Sequence, residues 1–266
     1  MTEPSGQSAA LTYTSYLALD EVLAAQRPRS DEHDELLFIV IHQVYELWFK
    51  QMLHELELLQ RSLEKGDAPH SVRTLRRVLT ILKVVVAQID VLETMTPRQF
   101  TSFRTRLEAS SGFQSGQFRE LEAVLGRRDQ RMLAPYDKDS TAHARITAAM
   151  SRPTVFDSFL RYLANAGYDV PDTHLNRDFR TQWTEAEDVQ RVLVQVYADD
   201  AGPSTVADLL VDLDEGLQEW RYRHVKMVER TIGGKAGTGG SAGAAYLRGT
   251  LFHAMFPDLW AVRSQL

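Results

Sequence analysis

The chain carries eight histidines and no cysteine, so any metal or cofactor chemistry has to rest on imidazole, carboxylate, phenol or thioether groups. Thiolate nucleophiles, iron–sulfur clusters, Cys-ligated zinc and covalently attached c-type haem are excluded together. Two histidines stand out by their spacing. Leu209, Leu213, Leu217, Trp220, His224, Met227 and Thr231 recur at four and three residues, which places His224 on the buried stripe of a helix. Phe38, His42, Tyr45, Phe49, Met52 and Leu56 repeat the pattern, so His42 also faces inward among bulky apolar side chains. A lone buried histidine is most often a core residue bonded to a backbone carbonyl. A neutral imidazole in an apolar pocket is also the axial ligand that haem iron takes when no thiolate is present, and two such histidines on the two longest helices could share one cofactor in a bundle core. Other metal arrangements fail on spacing. No Glu stands three residues before any histidine, as a ferritin-like di-iron site needs, and His54-Glu55 has Leu58 where a zincin has its second histidine.

Arg104 follows Phe100 by four residues and precedes Leu107 by three, on the apolar side that Phe100, Phe103 and Leu107 form. An arginine so placed either snorkels to solvent or clamps a carboxylate with its planar fork. Ser110, Ser111 and Gly112 break the helix after it and offer hydroxyls and backbone N–H groups beside it. Between Gly233 and Gly243 the chain concentrates six of its fifteen glycines. Glu229 stands where Walker spacing requires glycine, and the stretch follows a helix where a dinucleotide fingerprint requires a strand, so phosphate binding is set aside. A flexible linker and a loop that closes over a ligand remain as readings, with Thr238 the polar contact in the second.

The elements that must position these residues are helical throughout, because apolar spacing of three and four runs along the chain and alternating β-branched runs are missing. The spacing predicts helices near 14–26, 31–65, 71–94, 97–108, 116–125, 141–165, 184–199 and 205–232, with a short one near 246–256. Starts are marked at Ser30, at the Thr96-Pro97-Arg98-Gln99 capping box, and at a second box from Thr184 to Glu187. Gly66, Gly126 and Gly233 mark stops that favour a left-handed cap. The expected fold class is all-α, a bundle of long amphipathic helices enclosing the pocket. Residues 1–10 read as disordered, 11–266 as a single domain, and the polar, proline-bearing stretch 127–178 as a candidate accessory insertion.

Composition agrees with a globular protein of 266 residues: 44% hydrophobic and 25% charged, with a formal charge of −6 that gives nucleic acid no basic surface. The start has no basic segment leading into an apolar core, and no apolar run reaches the roughly 18 residues a membrane span needs. The expectation is a soluble cytoplasmic protein.

Four segments, in order, resemble the tryptophan 2,3-dioxygenase family: Leu11 to Leu17 (LTYTSYL), His33 to Trp48 (HDELLFIVIHQVYELW), Phe103-Arg104 through Ser115, and Trp220 to His224 (WRYRH) followed by Lys235 to Ser241 (KAGTGGS). The match runs from about Leu11 to Gly126 and from Leu209 to the C-terminus. The resemblance implies an all-α haem enzyme that inserts both atoms of dioxygen across indole C2–C3 of L-tryptophan, giving N-formyl-L-kynurenine, with haem b as cofactor and O2 as co-substrate. It implies that His224 is the axial ligand of the haem iron and that His42 is the distal histidine beside the indole N–H. Phe38, Phe100 and Leu107 would line the substrate pocket, Arg104 would pair with the substrate carboxylate, Thr238 would contact its ammonium and carboxylate, and Ser111 and Gly112 would lie at the haem edge. Tyr13, Tyr16 and Leu17 would reach into a neighbouring subunit's pocket, which implies a homotetramer. The family usually has tyrosine at the position of Phe100, Thr-Ser at Val44-Tyr45 and serine at Ala242. The alternative carried by the same resemblance is a haem monooxygenase of secondary metabolism acting on a tryptophan derivative.

Overall fold

Two reversals of the chain set the architecture. The first is Lys65-Gly66-Asp67, where Gly66 takes a left-handed conformation (φ +73°), its N–H donates to the Leu63 carbonyl and the Asp67 N–H to that of Ser62. Asp67 then accepts the His70 N–H at 3.0 Å and starts the next helix. The long helices α3 (His33–Glu64) and α4 (Ala68–Leu92) are joined by this turn, following the short α1 (Tyr13–Tyr16) and α2 (Leu19–Leu23). The second reversal, at 199–202, leads into α11 (Gly202–Ile232). The computed structural model describes residues 10–108, 110–235, 237 and 244–266, and among these every regular element is helical.

The three long helices form the bundle. α4 lies against both α3 and α11, burying Leu75, Val78, Leu82, Val85 and Ile89 in the interface. Gly216 lets α11 come close: a Cβ there would stand 2.7 Å from Leu82 Cδ2, nearer than packed atoms allow. A second layer covers the other side of α3, made of α6 (Gly116–Leu125), α7 (Thr141–Met150) and α8 (Val155–Asn165). Residues 127–178 contain α7, α8 and α9 (Asp172–Leu175), and Phe156, Phe159, Leu160 and Leu163 of α8 belong to the same hydrophobic core as the long helices. Against α3 and α11 lies α5 (Pro97–Arg104), started by the expected capping box: Thr96 Oγ1 accepts the Gln99 N–H and Gln99 Oε1 accepts the Thr96 N–H. No helix among the described residues is long and apolar enough to cross a membrane.

Several expected elements differ in ways the packing explains. The helix foreseen over 141–165 is two helices, because Pro153 cannot donate to the ladder and disfavours helical backbone at Arg152, after which Thr154 and Asp157 cap a new start. The helix foreseen over 14–26 breaks at Ala18, left-handed at φ +49°, and neither half buries a residue. The capping box at Thr184 is not formed: Asp258 accepts the Trp183 indole N–H at 2.6 Å and the Ala186 N–H at 2.8 Å, which holds that stretch extended until α10 (Glu187–Asp199) begins. Ser30 does not cap α3 either, since its hydroxyl is bonded to Glu35. Beyond α11, α12 (Ala244–Arg248) and α13 (Pro257–Ala261) replace one short helix. Their segment is pinned to α11 by Asp214, whose carboxylate accepts from the Met255 and Phe256 N–H groups and the Trp260 indole. The disorder expected for residues 1–10 falls, apart from Ala10, outside the described residues.

Candidate functional site

The stripes that carry His42 on α3 and His224 on α11 open onto one cavity, about 1680 Å³ of empty space with its mouth included. Its floor and sides come from α3, α4, α5, α6 and α11, with Gly237, Leu247 and Thr250 at the edge. Most of the lining is apolar, so the polar groups that reach it are few and identifiable.

His42 sits one turn beyond Phe38, whose carbonyl lies 2.7 Å from His42 Nδ1. A carbonyl only accepts, so Nδ1 carries the proton and Nε2 keeps its lone pair. Gly112 lies beside that nitrogen; a Cβ there would stand 4.0 Å from Nε2 and take up the space next to it. Burial pulls the His42 pKa down, against the Phe38 carbonyl and Glu46, which favour the charged ring. His224 is lowered to about 4, first by burial and then by the nearby charges of His42 and Arg119. Both rings are neutral at pH 7. The His224 ring stacks on Trp220 at 5.2 Å and 23°, yet among the described residues neither of its nitrogens has a hydrogen-bond partner, unlike a histidine placed for structure alone.

Phe38, Phe100 and Phe103 form a triangle of rings with centroids 5.5 to 5.8 Å apart, and Phe38 lies 4.2 Å from the His42 ring. Phe103 is fully buried behind the other two, which line the cavity with Arg104 and Leu107. Past a tight turn at Thr105–Leu107, Ser111 Oγ accepts the Phe113 N–H at 3.3 Å and fixes the 111–114 turn against the wall. The structure thus brings Phe38, His42, Phe100, Arg104, Leu107, Ser111, Gly112 and His224 to one cavity. Tyr13, Tyr16 and Leu17 stand apart from it, exposed at 75%, 72% and 40%, and Thr238 lies outside the described residues.

Sequence reasoning missed the polar part of the wall. Glu122 is buried on α6 with three arginines around it: Arg119 Nη1 at 2.6 Å, Arg127 Nη1 at 3.0 Å and Arg221 Nη2 at 3.2 Å. Arg221, on α11 one turn before His224, also donates to the Thr250 and His253 carbonyls, so the cluster ties α6, α11 and the C-terminal segment together. The local signal was the three-residue spacing of Arg119 and Glu122; Arg127 lies just past the end of α6, where helical spacing no longer applies, and Arg221 is far away in sequence. Burial by itself would raise the Glu122 pKa, but the pull of Arg119, then of Arg127 and Arg221, holds it below 4.5. A carboxylate lowered in the folded state contributes stability above its unfolded pKa and loses it as the pH falls through the folded value. Glu122→Gln should therefore cost about 3–5 kcal/mol at pH 7, since it leaves buried guanidinium groups unpaired. In urea titrations from pH 7 to pH 3.5, the wild type should lose stability below about 4.5 more steeply than the variant; parallel curves would contradict this.

A bare metal ion needs several ligands, and no group of three or more His, Asp or Glu side chains able to hold one is present among the described residues. Iron already held by a porphyrin needs only one axial donor, and a neutral imidazole with unpaired nitrogens on an apolar cavity supplies it. The donor set therefore fits haem.

Comparison with known proteins places the chain in a family. The sequence pattern of the family described as Tryptophan 2,3-dioxygenase matches residues 2–154 and 170–266. The chain is 67% identical, over the full length of both, to a tryptophan 2,3-dioxygenase of Anaeromyxobacter dehalogenans (strain 2CP-C). It is 54% identical to that of Herpetosiphon aurantiacus, covering 97% of this chain and 100% of the relative, and 45% identical to that of Caulobacter vibrioides, covering 96% and 98%.

Proposed function

The chain belongs to the tryptophan 2,3-dioxygenase family, and from that premise we propose the residues through which it works. The activity is dioxygenation of L-tryptophan, an oxidoreductase reaction that places both atoms of O2 across indole C2–C3 and yields N-formyl-L-kynurenine. The observation that carries the assignment of the site is the neutral, unpartnered His224 facing a large apolar cavity that His42 shares.

His224 would hold the haem, which when bound would supply the iron chemistry that activates dioxygen. The remaining work belongs to the chain. Phe38, Phe100 and Leu107 form the apolar wall against which the indole ring lies, and they keep water from it. Arg104 clamps the α-carboxylate in a charge-assisted, two-pronged contact, and Thr238 contacts the ammonium and carboxylate. His42 accepts the indole N–H at Nε2, the nitrogen left with its lone pair by the bond of Nδ1 to Phe38. Its role is orientation and polarity, because the indole N–H is too weak an acid to require a base. Ser111 and Gly112 would border the haem, and the missing Cβ of Gly112 leaves room beside His42. The protein's main contribution is to hold C2 and C3 in place for reaction.

The assembly is a homotetramer. Leu11, Tyr13, Tyr16 and Leu23 are each more than 70% exposed on an arm that buries none of its own helical residues. An apolar arm of that kind gains its stability from a second copy, with Tyr13, Tyr16 and Leu17 reaching the neighbouring pocket.

The test is mass spectrometry of the product formed from L-tryptophan by the reduced, haem-loaded protein under isotopically labelled dioxygen. Two labelled oxygens in a ring-opened product are expected. One labelled oxygen, or turnover only with a ring-substituted tryptophan, would overturn the assignment in favour of monooxygenation.

A further inference from the structure

One buried donor on the cavity wall falls short of an acceptor. The indole N–H of Trp220 is sealed from solvent and makes no hydrogen bond of full geometry, although a buried donor left uncompensated is costly. Trp220 stands on α11 one turn before His224, and the centroids of the two rings stack at 5.2 Å and 23°. Phe118 packs on the indole at 4.7 Å and Phe49 stands edge-on to it at 6.3 Å. Apolar contacts of this kind fix where a ring sits. Which way its edge points is decided by a directional partner for the N–H.

The group that the N–H faces is the phenol of Tyr45, whose charged form it favours. Tyr45 is buried on α3, and its hydroxyl donates to the Val85 carbonyl of α4 at 3.1 Å. A hydroxyl has one proton and two lone pairs, so with the proton committed to Val85 the oxygen is left as an acceptor. Burial, the largest influence on this phenol, raises its pKa and keeps that proton in place at neutral pH. A donor in need of an acceptor and an acceptor with lone pairs to spare thus face each other where α3, α4 and α11 pack. His224 itself makes no hydrogen bond among the described residues, and the indole is the flat surface against which its ring is set.

We propose that Tyr45 is a positioning residue: its Oη accepts the Trp220 N–H, and through the stacked indole it fixes the His224 ring in the orientation that offers a nitrogen to haem iron. The inference rests on the haem reading of the site. Tyr45 acts through Trp220, and its effect is preorganisation, since a ring ordered before the iron arrives loses less freedom on binding. One hydroxyl on α3 thereby sets the direction of a ligand on α11, with α4 holding the hydroxyl's proton.

The experiment compares the full chain as wild type, Tyr45→Phe, Trp220→Phe and the double variant. Haem affinity should fall about fivefold in Tyr45→Phe, the size of one neutral hydrogen bond, and the iron–imidazole stretching band of the reduced holoenzyme, narrow in wild type, should broaden. In the Trp220→Phe background, removing the Tyr45 hydroxyl should alter affinity by less than about twofold and leave the band as it was, because the link is already absent. A hydroxyl that only ties α3 to α4 through Val85 would act equally in both backgrounds, and equal effects overturn the proposal. An unchanged band in Tyr45→Phe overturns it as well. Should Trp220→Phe not fold, the indole N–H resonance of Trp220 in the nitrogen-labelled, haem-free chain decides: a move to higher field in Tyr45→Phe supports the bond, and an unchanged position refutes it. Wild type that shows no iron–imidazole band would instead remove His224 from the iron, and this inference with it.

Discussion

His224→Ala should abolish stoichiometric haem binding while leaving the helices intact. The ring makes no hydrogen bond among the described residues, so its removal orphans no buried donor or acceptor, and alanine is the better helix former at that position of α11. What is lost structurally is a stacking contact with Trp220, worth about 0.5–1.5 kcal/mol. The loss at the cofactor is far larger, because the other side-chain nitrogens lining that cavity among the described residues are those of His42, of the always-charged arginines and of Trp220, whose indole N–H only donates. Haem occupancy read from the Soret band should fall below about a tenth of wild type, while far-ultraviolet circular dichroism stays within a few per cent. Added imidazole, which fits the space vacated, should restore part of the band. Full occupancy with an unchanged spectrum would remove His224 from the iron.

The parts of this arrangement that were legible in the sequence are those written along a single helix. His42 and His224 repeat with their stripes at three and four residues, and a period of that kind reports which face is buried whatever packs against it. The capping box at Thr96 and the left-handed glycine at Gly66 were legible for the same reason, since each is satisfied within a few residues. The failures have the opposite character. Thr184 and Ser30 look like caps, but Asp258 and Glu35 compete for the same backbone and side-chain groups, and Asp258 lies more than seventy residues away from what it holds. The Glu122 cluster draws on Arg127 and Arg221 as well as its own helix. Spacing reveals a face; it does not reveal which distant charge a face will meet. Phe103 shows the intermediate case, placed on the correct side of α5 but recognisable as the support of Phe38 and Phe100 only once the three rings are seen together.

Arg104→Leu should raise the KM for L-tryptophan about 100-fold with haem content unchanged, a loss of the size expected when a two-pronged charged contact is removed. The position favours a large effect. Phe100, one turn earlier, is 9% exposed and carries no hydroxyl, so it offers the carboxylate no second hold, and the neighbouring donors are the neutral groups of Ser110 and Ser111. Leucine keeps most of the apolar bulk that Leu107 and Phe100 pack beside, so the change isolates the charge. Tryptamine separates binding of the carboxylate from damage to the pocket, because it presents the same indole without that group. Wild type and Arg104→Leu should bind tryptamine within about twofold of each other, and only the amino acid should distinguish them. Arg104→Lys should recover part of the loss, since it restores charge but not the planar fork. If L-tryptophan affinity were unaltered in Arg104→Leu, the carboxylate would have to be held by Thr238 and the serines, and Arg104 would belong to the wall without touching substrate.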